Sequence, residues 1–397
     1  MRLTEPPLSL YIHIPWCVRK CPYCDFNSHA LRGPAPERQY VAALLSDLDS
    51  EAARAAGRKL VSIFVGGGTP SLFSGAAIAE LLDGVRARLP TVSDLEITLE
   101  SNPGSVSSDR LRAYREAGVN RLSIGVQSMR DEMLSALGRI HSSDEAVAAL
   151  HAAREAGFDN INLDLMFGLP EDDRRGALHD LRAVTALAPE HLSWYQLAIE
   201  PNTAFHRHPP ALPDDDETWE AQQRGQRWLA TQGYVQYEVS AYARDARHCR
   251  HNLNYWTFGD YLGIGAGAHG KLSDAQRGEI VRSAKRKDPR GYMEHARRAG
   301  AIDQQHTLGT EEIVVEFMMN ALRINDGFDL GLFSERTGVP AALIEPSVQE
   351  ALQRGFIDID GRRLRPSELG RRYLNELVFL FFRDDVDCGA RRSAAGA

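Results

Sequence analysis

The sequence predicts an α/β chain: a partial, open (β/α)6-type TIM barrel followed by a smaller, mainly helical module resembling a winged helix. Three observations lead there. Short β-like runs alternate with amphipathic helical stretches from residue 8 to about residue 200. The alternation stops at six units, short of the eight that close a full barrel, so a lateral gap is expected. Beyond about residue 300 the rhythm changes to helices and one hairpin.

The strand-like runs are LSLYIHI from Leu8, KLVSIFV from Lys59, LEITLE from Leu95, RLSIGV from Arg121, INLDLMF from Ile161 and HLSWYQLAI from His191. Several alternate by twos: Leu95, Ile97 and Leu99 face one way, Glu96, Thr98 and Glu100 the other. A further strand follows if YVQYEVSAY is one. Between the runs, Val41, Leu44, Leu45 and Leu48 make one helical stripe, and Ile78, Leu81, Leu82, Val85 and Leu89 another. Ser107 or Ser108 caps the next helix, and Gly118 and Gly157 stand where helices must stop. Later come apolar stripes of Ile313, Val314, Phe317 and Met318, then of Leu343, Ile344 and Val348, and Asp360-Gly361 between two short runs signals a hairpin. The expected divisions are a barrel over residues 1–240, a connecting segment over 241–300, the helical module over 301–383 and a disordered tail over 384–397.

A hydrophobic content of 43% allows a sizeable core, and a formal charge of −8 leaves no general basic field for a phosphate backbone. Nucleic acid is therefore not an expected partner. The opening MRLTEPPLSLYIHIP has no uninterrupted apolar run, so neither a secretory signal nor a membrane anchor is expected and the location is read as cytoplasmic. Three of the five cysteines fall between positions 17 and 24, the wrong pattern for a disulfide framework and the right one for metal chemistry.

WCVRKCPYCDF sets Cys17, Cys21 and Cys24 at C-x3-C-x2-C spacing just after the first strand. Soft thiolates suit an iron–sulfur cluster or zinc. A structural zinc site wants four ligands, and no second C-x-x-C exists; the zinc alternative would recruit His13, Cys249 or another remote side chain. Three ligands on a cluster leave one iron open. With Tyr11 before it and Tyr23 beside Cys24, this motif resembles the radical S-adenosylmethionine (SAM) superfamily. The resemblance implies a [4Fe–4S] cluster on Cys17, Cys21 and Cys24, with SAM chelating the fourth iron and an electron from the cluster cleaving the sulfonium.

Further segments fall at or beyond predicted strand ends, where βα folds gather their sites. GGGTPS, Gly66 to Ser71, follows the second strand; its Gly67, Gly68 and Thr69 would let backbone approach the methionine amino group. By resemblance to the branch containing oxygen-independent coproporphyrinogen III oxidase, Arg139 pairs with the methionine carboxylate. Glu100, Gln127 and Asp164 would bond amino-acid and ribose groups, Tyr11 would support the methionine end, and Tyr195 and Ala198 would line the adenine slot.

The same resemblance runs over nearly the whole chain and reaches two relatives, the oxidase and the HemW-type haem chaperones. In the oxidase a cysteine follows the third ligand after one residue; here Cys24 is followed by Asp25 and Phe26. The oxidase also has a longer N-terminal extension, whereas ten residues precede Tyr11. HNLNYW, His251 to Trp256, is similar to the chaperones' H-N-x-x-Y-W signature and marks His251 as the haem-contact candidate, with Cys249 as a second. The implied function is to bind haem and hand it to acceptor haem proteins such as respiratory cytochromes, the oxidase remaining the alternative. The working hypothesis is that cluster and SAM control homodimerisation or haem transfer, with any membrane contact made through a partner.

Overall fold

The computed structural model describes residues 3–170, 176–298 and 300–382. The expected tail over 384–397 lies outside the described residues. Six parallel strands form as the periodicity predicts: β1 Leu8–Ile14, β2 Leu60–Gly67, β3 Thr91–Ser101, β4 Arg121–Gln127, β5 Ile161–Phe167 and β6 His191–Gln196. Each pairs with the next in parallel register. Helices such as Glu37–Arg54 and Gly75–Arg88 cover the outside, burying Val41, Leu44 and Leu48, and Ile78, Leu81 and Val85 against the sheet. Ser107 caps the helix Ser108–Glu116 by accepting from the Arg110 N–H, and Gly118 and Gly157 take positive φ where their helices end.

The sheet differs from the expected one at both of its ends, beyond β6 and on the other side of β1. YVQYEVSAY does not supply a seventh parallel strand; it makes two short antiparallel ones, β7 Val235–Gln236 and β8 Ala241–Ala243, at the edge beyond β6. The seventh parallel strand is β9 Asp260–Ile264, paired with β1. Antiparallel β10 His269–Asp274, β11 Glu279–Lys285 and β12 Ile302–Thr307 then extend the sheet. Residues 241–300, expected as a connection, thus build four strands of the main sheet. The run DYLGI is short and carries a glycine, so its strand character comes from pairing with β1 more than from its own pattern. Among the described residues β7 and β12 end the sheet without pairing to each other, so the barrel is open.

The C-terminal module has three helices, Thr310–Ala321, Leu330–Thr337 and Glu345–Gln353, then a hairpin of β14 Ile357–Asp360 and β15 Arg363–Pro366, joined by β13 Phe328–Asp329, and two short helices, Glu368–Arg372 and Leu374–Phe379, after it. Gly361 turns the hairpin with φ 58°. Its core of Phe317, Phe333, Val348 and Leu364 continues into Phe258 and Ile280 of the barrel. The module bridges the open side: Arg323 pairs with Glu238 beside β7, while Glu316 receives Arg282 of β11. No helix among the described residues is long and apolar enough to cross a membrane.

One buried ion cluster ties the antiparallel extension to the barrel. Lys285 on β11 donates to Asp47 and Glu51 of the first helix, at 2.6 Å each, and Tyr292 donates to Asp47 at 2.8 Å. Lys285→Met would remove the cation from between two buried carboxylates, leaving Asp47 with the Tyr292 hydroxyl and Glu51 with Arg54. A loss of roughly 3–5 kcal/mol in urea unfolding is expected, largely recovered when Asp47→Asn is added.

Candidate functional site

The site begins with a close approach. The loop carrying the three cysteines leaves β1 through His13 and Trp16 and runs against the end of β2. Gly67 has φ 119°, and a Cβ there would lie 2.7 Å from the His13 ring; one on Gly68 would lie 2.6 Å from the Trp16 carbonyl oxygen. The glycines read from sequence as cofactor contacts are therefore needed first to seat the cysteine loop, although both also line the cavity. His13 Nε2 donates to the Asn27 carbonyl at 2.9 Å, which leaves Nδ1 to accept from the Tyr11 hydroxyl at 2.8 Å. Burial lowers the His13 pKa, in keeping with this neutral ring. Asn27 Nδ2 in turn donates to the Ala266 and Lys287 carbonyls, so both ends of the loop are fixed.

The loop forms one end of a cavity of about 340 Å³ at the C-terminal ends of the parallel strands. Cys17, Cys21, Cys24, Gly67, Gly68, Thr69, Glu100, Gln127, Arg139, Asp164 and Tyr195 all line it, although they span 178 positions of sequence (17 to 195). Burial raises the Cys17 and Cys24 thiols above their ordinary range, partly offset by hydrogen bonds to Thr69 and Ser28 respectively. Among the described residues no three His, Cys, Asp or Glu side chains converge to hold a single ion. Three thiols on one wall, Cys17, Cys21 and Cys24, are the soft sulfur donors that suit an iron–sulfur cluster.

Arg139 stands between the thiols and the strand ends. Its Nη1 donates to Cys21 Sγ at 3.7 Å and its Nη2 to Asn102 Oδ1 at 2.5 Å and the Gly125 carbonyl at 2.7 Å; its buried Nε has no partner among the described residues. A guanidinium that lines the cavity and carries an N–H without a partner is suited to a carboxylate. Two buried carboxyls face the same space. Burial first, and the neighbouring Asp164 second, push the Glu100 carboxyl up to about 8, although Gly67 N–H donates to its Oε2 at 3.0 Å. Burial also raises Asp164, opposed by donors that include Asn162 Nδ2 at 2.7 Å and Ser123 Oγ at 3.2 Å. Gln127 ends β4 at a register shift with φ 71°, a left-handed conformation uncommon outside glycine, and accepts from the Tyr195 hydroxyl at 2.8 Å.

Three expected site residues lie elsewhere. Tyr11 sits beneath the cavity, stacked on Phe64 at 6.3 Å. Ala198 is exposed beyond the end of β6 and does not line the cavity. His251 belongs to the helix Arg250–Trp256, deep under the cavity and 1% exposed. Its Nδ1 meets Ser62 Oγ and its Nε2 the Tyr255 hydroxyl, both at 3.0 Å, and burial followed by the Arg121 charge holds the ring down at about 3. In this arrangement His251 has no free nitrogen for an axial bond. Cys249 is also buried, donating to Glu96 Oε1 at 3.8 Å. Asn102, missed from sequence, links Thr69 Oγ1, at 2.9 Å, to Arg139; the Asn-Pro turn signal after Glu100 could have marked it.

The raised Glu100 carboxyl has a consequence for stability. A folded pKa of about 8 against an ordinary 4.5 means that the stability it contributes is complete below pH 4.5 and is lost as pH rises through 8. Glu100→Gln keeps an acceptor for Gly67 N–H without the ionisation. The ligand-free variant should match the parent near pH 5 and gain roughly 1–3 kcal/mol near pH 8.5, read by thermal unfolding across that range.

A profile for the Radical SAM superfamily matches residues 11–181 and one for the HemN C-terminal domain matches residues 308–373. The protein Heme chaperone HemW of Escherichia coli (strain K12) is 50% identical over 379 residues, 96% of this chain and 99% of that one. Its namesake from Haemophilus influenzae is 46% identical over 384 residues, again 96% and 99%. Among solved structures, the coproporphyrinogen III oxidase (HemN) of Escherichia coli, described as a Radical SAM enzyme, superposes with a TM-score of 0.81 at 25% identity, covering 96% of this chain and 91% of that one. Agreement along almost the entire length of both chains places this protein in the HemW family of the radical SAM superfamily.

Proposed function

We propose that this protein is a haem chaperone: it binds haem and passes it to acceptor haem proteins, respiratory cytochromes among them, while carrying a [4Fe–4S] cluster and SAM. The observation that carries this reading is the 50% identity to a protein named as a heme chaperone, against 25% to the solved oxidase. Phe26, where the oxidase pattern has a cysteine, supports it.

Cys17, Cys21 and Cys24 would hold the cluster, which when bound supplies an electron to the sulfonium of SAM. The chain's own groups do the positioning. Arg139, with its buried unpaired Nε, would meet the methionine carboxylate, and its contact with Cys21 would keep that end of the cofactor beside the thiols. Glu100 enters as a neutral carboxyl and would give up its proton when an ammonium group arrives, because a nearby cation lowers a carboxyl pKa. Asp164, and Gln127 held by Tyr195, would present acceptors to amino-acid and ribose hydroxyl groups. In this reading cluster and SAM govern homodimerisation or haem transfer, and coproporphyrinogen III is not turned over.

The haem role of His251 needs the helix Arg250–Trp256 to move, since both ring nitrogens are engaged. Incubating anaerobically reconstituted, haem-loaded protein with apo-cytochrome should give haem transfer that fails when the cluster is absent. Conversion of coproporphyrinogen III to protoporphyrinogen by the same preparation would instead establish the oxidase reading.

A further inference from the structure

Large apolar side chains rarely cluster on a surface without a reason. Three of the four most exposed among the described residues do so at one place: Phe26, Ile140 and Val18 are 61%, 59% and 54% exposed, and all three line the mouth of the cysteine cavity. The fourth, Val235, is 65% exposed but lies on β7 at the sheet edge. Phe26 and Val18 come from the cysteine loop and Ile140 from the segment beyond Gly138, so the three stand on two different segments of the rim. Gly138 holds φ 69°, and a Cβ on it would meet Pro22 at 2.7 Å, so the two segments are packed against each other. The collar is therefore built in.

The rim differs in kind from the floor. Below it lie Arg139, Glu100 and Asp164, suited to a polar ligand; above them the surface is hydrocarbon flanked by two cations. Arg19, which also lines the cavity, forms no ion pair among the described residues, and Lys20 Nζ donates only to the Phe26 carbonyl, at 2.9 Å. Two neighbouring cations without carboxylate partners are notable in a chain of net charge −8.

Resting on the haem-chaperone reading, we propose that this collar is the haem-landing surface: Phe26, Ile140 and Val18 receive the apolar macrocycle across the cavity mouth while Arg19 and Lys20 meet its propionates. Haem matches both parts, a flat apolar face with two carboxylates at one edge, and a concave mouth can cover such a face where a flat lipid surface could not follow it. The buried His251 plays no part in this first contact.

The test is an anaerobic haem titration, followed by absorbance, of cluster-loaded protein with SAM present. The variants are Phe26→Asp/Ile140→Asp, Phe26→Leu, and Val235→Asp as an exposed control. The double variant should bind haem roughly tenfold or more weakly, Phe26→Leu and Val235→Asp within about twofold of the parent, with cluster absorption and SAM affinity equal in all. Unchanged haem affinity in the double variant would overturn the collar while leaving the chaperone reading standing; a parent that binds no haem would overturn both. If the double substitution abolished binding to anionic phospholipid vesicles with haem affinity intact, the collar would be a membrane contact and the proposal would fail.

Discussion

Everything at the cavity depends on the fit between the cysteine loop and the glycine end of β2. His13 and Trp16 occupy the space that side chains on Gly67 and Gly68 would need, and the backbone bonds Gly68 N–H to the Ile14 carbonyl and Thr69 N–H to the Trp16 carbonyl, at 2.8 and 2.7 Å, close the contact. Only residues without a Cβ allow that approach. The His13 ring then acts as a strut between Tyr11 and Asn27. Three thiols within eight residues, Cys17 to Cys24, are thereby held against a rigid sheet, which is what preorganised metal chemistry requires.

The open barrel is graded in polarity from bottom to top. At the base, the helix Arg250–Trp256 inserts His251 and Asn254 into a network with Ser62 and Ser9, and Glu96 receives the N–H groups of Arg250 and His251. An aromatic layer of Tyr11 and Phe64 separates this plug from the cavity, with Phe64 5.1 Å from the His251 ring. Above it sit buried carboxyls, then the thiols and Arg139. Since β3 carries both Glu96 and Glu100, the plug and the cavity share a strand. The C-terminal module seals the same lower region from outside, where Arg323 stacks on Trp256 at 4.4 Å. Haem contact by His251 would have to displace several of these interactions together.

Much of this was legible from sequence because the groups that bear chemistry sit at strand ends, where apolar alternation stops and a polar residue stands out. Glu100, Gln127 and Asp164 stand out at such ends, their roles coming from the resemblance, and the structure brings them to one cavity with the cysteines. What stayed hidden depends on partners far away in sequence. The enclosure of His251 rests on Ser62, 189 positions distant, and the strand DYLGI exists through its pairing with β1. Ala198 looked like part of a strand that ends two residues earlier, at Gln196. Asn102 was passed over beside the more conspicuous Glu100, and the purpose of the glycines was visible only once His13 and Trp16 were seen against them.

The central claim is that three thiols present a cluster whose open iron faces the cavity lined by Arg139 and Glu100. Electron paramagnetic resonance of the reduced, anaerobically reconstituted protein tests it most directly, with SAM carrying a nitrogen-15 amino group. The account predicts a [4Fe–4S] signal that shifts when SAM is added and shows coupling to the labelled nitrogen. A signal unaltered by saturating SAM, or no cluster signal at all, would contradict it.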